Sequence, residues 1–404
     1  MINRQLIECD TCGQLHVTRT GFGRSNRQEH RFSCRGCELE IGFALNLDQA
    51  KGQHEYVDWF NCHPVEGEPF GPPIVNLDAD FLVPAELQGV DFAFPRLQQY
   101  REAINAREAA GTLAWESERP LGARGGNLLE EWEELRRAWL LDRNRNGVLS
   151  RAKVKASSDK YYPTQALTGL PDWLFRFIQF VGGEPIRQMF EQSEQAVSAL
   201  FDAGIPSDLV LHYEQNMASH RGRIYLDAFN AYFGAYSDLS QVRIRVAAGL
   251  AIEPGMEVSS RQFDRTKMLY GSLFENLGSL VELIAYLNNV LVGRRWDEFE
   301  TLSRDQYLRL DKSARFGPFA ANADLAILVA ERDNQLRNAS HHGGIEIDPK
   351  TGLISYRAGK GGQGAAQSMS YTIYLEKCTT IFNQILVIFM LDLRMARDFK
   401  IRPI

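Results

Sequence analysis

The chain has 404 residues, 44% hydrophobic and 24% charged, enough apolar material for two or three folded domains. With 45 Lys and Arg against 51 Asp and Glu, the formal net charge of −6 excludes a surface that coats nucleic acid indiscriminately. Any contact with nucleic acid must therefore be local.

The chain opens with Cys9-x2-Cys12 and Cys34-x2-Cys37, two thiolate knuckles that together supply the four soft ligands of a tetrahedral structural Zn2+. Val17-Thr18-Arg19 and His30-Arg31-Phe32 between them are β-like, so residues 1–50 read as a zinc ribbon. Four cysteines close the coordination sphere, which disfavours a catalytic zinc with an open water position. No apolar leader precedes them, so reduced thiols and a cytoplasmic location are expected. Arg19, Arg24, Arg27, Arg31 and Arg35 offer positive charge, but Glu8, Asp10, Glu29, Glu38 and Glu40 nearly balance it. Contact with nucleic-acid phosphates and docking of a partner or of the rest of the chain both stay open for the ribbon.

Residues 51–95, rich in Pro and Gly between Gly67 and Pro73, read as a linker or irregular arm. His54, Cys62 and His63 match no metal-site spacing and are expected to be ordinary loop and packing residues. Residues 96–255 read as a helical middle domain, with apolar spacing near 3.6 over 96–110, 127–141, 172–203 and 207–236. Its aromatics, such as Trp173, Phe177, Tyr225 and Phe229, are expected in the core. Asp142-x-Asn144-x-Asn146-Gly147 imitates half of an EF-hand loop, yet Lys153 stands where a bidentate Glu should close the Ca2+ sphere, so no calcium is expected.

The region from residue 262 carries the chemistry. Leu273, Leu277, Leu280, Val281, Ile284 and Leu287 lie at helical spacing, and 370–399 reads as a second long helix. Its apolar part, interrupted by Asn383, Gln384 and Asp392, is read as too short to span a bilayer, so no membrane is expected. Between these helices, an amphipathic run from about Ala320 closes on Arg337-Asn338-Ala339-Ser340-His341-His342, before Gly343-Gly344. RNA carries its own nucleophile, the 2′-hydroxyl, and needs proton transfer, in-line positioning and charge neutralisation. Histidine suits the proton work, arginine clamps phosphoryl oxygens, and Asn338 can bond the phosphate or orient an imidazole. On an unbroken helix Asn338 and His342 share a face at i,i+4, as do Arg337 and His341, whereas Arg337 and His342 diverge unless the last turn loosens. The carbonyl-rich helix end favours a cation and hence a proton donor, so His342 is preferred and His341 kept as the alternative.

Arg337-Asn338-x3-His342 at the end of this run resembles the Arg-polar-x3-His motif of the HEPN superfamily, over roughly residues 262–400. The resemblance implies a small helical bundle and a metal-independent endoribonuclease, of the kind found in toxin and anti-phage systems. It also implies a composite active site between two copies, with 2′,3′-cyclic phosphate and 5′-hydroxyl products. Residues 345–357 read as two short strands around Asp348-Pro-Lys-Thr-Gly352, a β-hairpin beside the site. Gly359-Lys360-Gly361-Gly362-Gln363-Gly364 lacks the spacing and following helix of a phosphate-binding loop and reads as a connector, with Lys360 able to touch an RNA backbone.

The expected architecture is thus mostly α: a zinc ribbon, a helical middle domain, and a HEPN-like bundle over 262–404 with a small β-hairpin. The expected partners are RNA, a second copy of the chain, and a regulatory ligand or antitoxin. The alternative is a non-catalytic RNA-binding or assembly protein that dimerises through the bundle and recruits a partner through the ribbon.

Overall fold

The computed structural model describes residues 2–23, 25–48, 51–68, 70–110, 128–259, 262–348, 351–357, 359 and 364–401. It is mostly helical, with strands towards the N-terminus and a long helix, Tyr371–Phe399, towards the C-terminus. Contacts divide it into two units, neither of them a continuous segment: one gathers residues 1–110, 235–269 and 338–379, the other 111–234, 270–337 and 380–404. The boundaries expected for a middle domain at 96–255 and a bundle at 262–404 are not those along which contacts divide the chain.

In the first unit, Ile2–Cys9 pairs antiparallel with Leu15–Gly21 and with Cys62–Pro64, and Ile74–Asp78 joins Leu15–Gly21 in parallel. Arg27–Ser33, Glu40–Asp48 and Gln53–Phe60 form an antiparallel meander. Ile7, Phe32, Ile41, Phe43, Val75 and Leu77 meet in one apolar cluster, with Tyr56 and Trp59 against it. The stretch read as an arm therefore contributes strands and core to the cysteine-bearing module. Pro and Gly there punctuate the strands rather than exclude them, since Gly67 and Gly71, both at positive φ, fall between Cys62–Pro64 and Ile74–Asp78. The helices Pro95–Ala109 and Tyr236–Ala247 belong to this unit and are linked by Arg245 to Glu102 at 2.6 Å.

The hairpin is present and gains a third strand: Ile345–Ile347, Leu353–Arg357 and Ala366–Ser370 are antiparallel neighbours. Alternation sends Ile345, Ile354 and Tyr356 into the protein and leaves Glu346, Ser355 and Arg357 on the open face.

The second unit is helical. Leu128–Arg143, Gly147–Tyr161, Leu170–Ala203 and Ala218–Gly234 bury Trp139, Trp173, Phe177, Tyr225 and Phe229, as their spacing requires. The EF-hand lookalike is a helix start: the Asn146 side chain accepts from Leu149 N, and Lys153 pairs with Glu134. Residues 380–399 of the last helix lie at its centre, with Phe389 stacked on Tyr225 and Phe382 on Tyr232, each at 4.0 Å between ring centroids. Asp392, fully buried, accepts two bonds from Arg221 at 2.7 and 2.8 Å, with Tyr213 and Tyr225 completing its shell and Arg221 also donating to Leu280 O. By length and composition Tyr371–Phe399 could cross a membrane, with mean hydropathy 1.4 in its most apolar window, but 89% of that window is buried in the protein.

Candidate functional site

Two places gather chemistry-bearing side chains, and both can be built from their backbones. The first is the cysteine cluster. Gly13 N donates to Cys9 O at 2.9 Å and Cys9 N to Gln14 O at 3.1 Å; Glu38 N donates to Cys34 O and Cys34 N to Leu39 O, both at 2.8 Å. The two knuckles are therefore the same turn made twice, each with a left-handed residue at the fourth position after its first cysteine, Gly13 at φ 69° and Glu38 at φ 63°. Only the first uses glycine; Glu38 accepts a strain of about 1 kcal/mol because the turn around it is fixed by both bonds.

Cys9, Cys12, Cys34 and Cys37 place all four sulfurs within 4.8 Å of one another. Cys9 and Cys37 are 3.8 Å apart and Cys12 and Cys34 3.6 Å. Sulfurs bound at about 2.3 Å on a tetrahedron stand about 3.8 Å apart, so this donor set fits a metal such as zinc. Burial pushes the Cys9 thiol up, but the backbone N–H groups of Cys12 and Thr11 outweigh it and bring it down to about 7. Gly36 N also donates to Cys34 Sγ at 3.3 Å. The backbone donors thus favour the thiolate at Cys9, whereas at Cys12, Cys34 and Cys37 desolvation and the crowding of neighbouring thiols outweigh the backbone donors and hold the thiols above their ordinary value. His54 and His63 stand outside the cluster: His54 bonds Asn3 at 2.9 Å and His63 bonds Asp10 at 2.6 Å, while the Cys62 thiol faces Gly42 O at 3.2 Å.

The second place is the end of the motif helix, Asn334–His341. The amphipathic run does not form one helix from Ala323. It breaks after the short turns Ala323–Ala326 and Ile327–Val329 and restarts at Asn334. Two buried groups make the break: the Tyr270 hydroxyl accepts from Asp333 N at 2.7 Å, and the Gln384 amide, oriented to match donors with acceptors, takes Ala330 N and Glu331 N and donates to Glu331 O. Asp333 then caps the new helix, its carboxylate accepting from Gln335 N and Leu336 N.

At the other end, Gly344 N donates to Ala339 O at 2.8 Å and Gly343 N to Ser340 O at 3.3 Å, with Gly343 at φ 68°. This is a Schellman end, and it makes His342 the C-cap. Ser340, buried, anchors the turn to Lys267 O at 2.5 Å. Both histidines are exposed, their rings edge to face at 5.4 Å.

Asn338 and His342 line one cleft of about 820 Å3 together with Glu346, Ser355, Tyr356 and Arg357 of the three-stranded sheet. Arg337 belongs to the other unit. There its Nε donates to Glu275 at 2.6 Å, its Nη2 reaches the same carboxylate, and its guanidinium lies 5.9 Å from the Phe274 ring. Sequence reading missed Glu275 and the sheet residues that line the cleft with Asn338 and His342. Glu275 carries no local signal; the sheet residues were within reach, because a hairpin directly after the motif must present alternate side chains on each face. Lys360 lies outside the described residues, as do Arg24 and the centre of the hairpin turn.

Comparison of the chain with protein-family models, curated proteins and solved structures finds no match. The HEPN resemblance therefore rests on its own motif.

Proposed function

We propose that the protein is a metal-independent endoribonuclease of HEPN type, a toxin or anti-phage effector, that carries a structural zinc on Cys9, Cys12, Cys34 and Cys37. One observation supports it above others: Asn338 and His342, one helical turn apart, open into the same cleft. In this reading the 2′-hydroxyl gives up its proton to one imidazole and attacks the adjacent phosphorus. The P–O5′ bond breaks, and His342 protonates the departing oxygen, leaving a 2′,3′-cyclic phosphate and a 5′-hydroxyl. His341, or His342 of a second copy, receives the first proton. Asn338 orients the phosphate or the imidazole. Arg337 neutralises the developing charge by exchanging Glu275 for a phosphoryl oxygen.

A second reading is favoured by that same pairing. An arginine engaged by a carboxylate is a structural tie, and a protein built so would bind RNA or assemble with a partner without cutting. Incubation with single-stranded RNA and tRNA in EDTA separates the two. Cyclic-phosphate ends that disappear in Arg337→Ala and His342→Ala fit the nuclease; binding without cutting fits the second reading; cutting that survives both substitutions removes the site.

A further inference from the structure

The cleft holds a cation that the motif does not supply. In Leu353–Arg357, side chains alternate, so Ser355 and Arg357 share the sheet's open face, and Glu346 lies directly across from Ser355. The alternate residues Ile354 and Tyr356 are buried and fix that register, since a slip of one position would bring them to the surface. Arg357 is thereby held against the cleft by the sheet rather than by a long flexible loop. Among the described residues it has no ion-pair partner, in contrast to Arg337, which is committed to Glu275. Arg357 and His342 line the same space, which at about 820 Å3 has the size of a site for a nucleotide-sized ligand.

We infer that Arg357 is a substrate-binding residue that holds a phosphodiester beside His342. Its planar fork matches two phosphoryl oxygens, and the neighbouring Ser355 hydroxyl and Asn338 amide offer neutral donors around the same anion. Glu346 is the opposing charge in the cleft and limits the affinity. The inference rests on the ribonuclease reading for its substrate, but its ligand chemistry, a phosphate, can be tested without turnover.

Inorganic phosphate is titrated at neutral pH into the full chain while the imidazole NMR signals of His342 are followed, assigned by their loss in His342→Gln. Phosphate should shift them in the wild type. Arg357→Gln should weaken that response about tenfold or more, as expected for removal of a charge-assisted bidentate contact, whereas Arg397→Gln, an exposed arginine paired with Asp398 near the end of the last helix, should leave it in place. Glu346→Gln should strengthen it severalfold. With an RNA oligonucleotide, Arg357→Gln should raise KM by a similar factor and change kcat little. A wild-type response that is absent, or that ignores Arg357, overturns the inference while leaving the nuclease reading to the cutting assay. A response that depends on Arg357 in a protein that cuts no RNA upholds the phosphate site and removes the nuclease reading.

Discussion

The cysteine cluster and the end of the motif helix are both short spacings read from sequence, yet they differ in how much the spacing decides. A thiolate pair two residues apart needs a tight turn, and two such turns need only to meet. Both turns here carry the same two backbone bonds, and the four sulfurs converge. An arginine and a histidine five residues apart are decided instead by whatever else each can bond. Arg337 finds Glu275, while His342, at the helix cap, opens into a cleft with Asn338. Soft metal donors have few competing partners inside a protein; a guanidinium has many.

The largest expected effect tests the cysteine side of that contrast. Purified protein should contain one zinc per chain by elemental analysis, and Cys34→Ser or strong chelation should abolish the cooperative unfolding of the N-terminal sheets, because binding of a structural zinc contributes on the order of 10 kcal/mol to folding. Full retention of that transition without metal would reduce the cluster to packed thiols. Next is the histidine. His342→Ala should lower RNA cutting by about a hundredfold or more, the range of one general acid or base, with unchanged circular dichroism. An equal loss in His341→Ala alone would move the proton donor by one residue.

A pH experiment probes the sheet module further. His30 is fully buried with neither ring nitrogen bonded among the described residues, and burial lowers it from 6.5 to about 4. In the folded state it stays neutral in mild acid, whereas the unfolded chain takes up the proton below 6.5. Its contribution is therefore complete above pH 6.5 and is lost as the pH falls towards 4, by about 3 kcal/mol in all. His30→Leu, compared with wild type by urea unfolding in excess zinc between pH 7 and 5, should flatten that decline; parallel curves would count against the buried neutral imidazole.

The smallest effect belongs to Glu275→Gln. The pair it breaks is partly exposed, so stability should change by less than about 1 kcal/mol. Releasing Arg337 should nevertheless speed RNA cutting a few-fold if the guanidinium serves phosphate, and leave it unchanged or slower if the pair is only a tie.

How much was legible follows the same division. The knuckles, the helix stop at Gly343-Gly344, the hairpin after it and the long helices Leu269–Leu291 and Tyr371–Phe399 were all visible, because each is encoded by residues near one another in sequence. The strands Gln53–Phe60 and Ile74–Asp78 were hidden by surrounding Pro and Gly, although their registers are set by partners up to 57 positions away. The break before Asn334 was invisible for a similar reason: Tyr270 and Gln384, which accept its freed backbone groups, lie 63 and about 50 residues distant. The partner of Arg337, 62 residues upstream, belongs with them.

The interleaving of the two units has a consequence for biosynthesis. Arg221 is translated long before Asp392, and until that carboxylate emerges the guanidinium has no counter-charge for its burial. Residues 338–379, which carry the cleft, likewise follow most of both units. A nascent chain therefore exposes apolar helices and an incomplete site until these later segments have emerged.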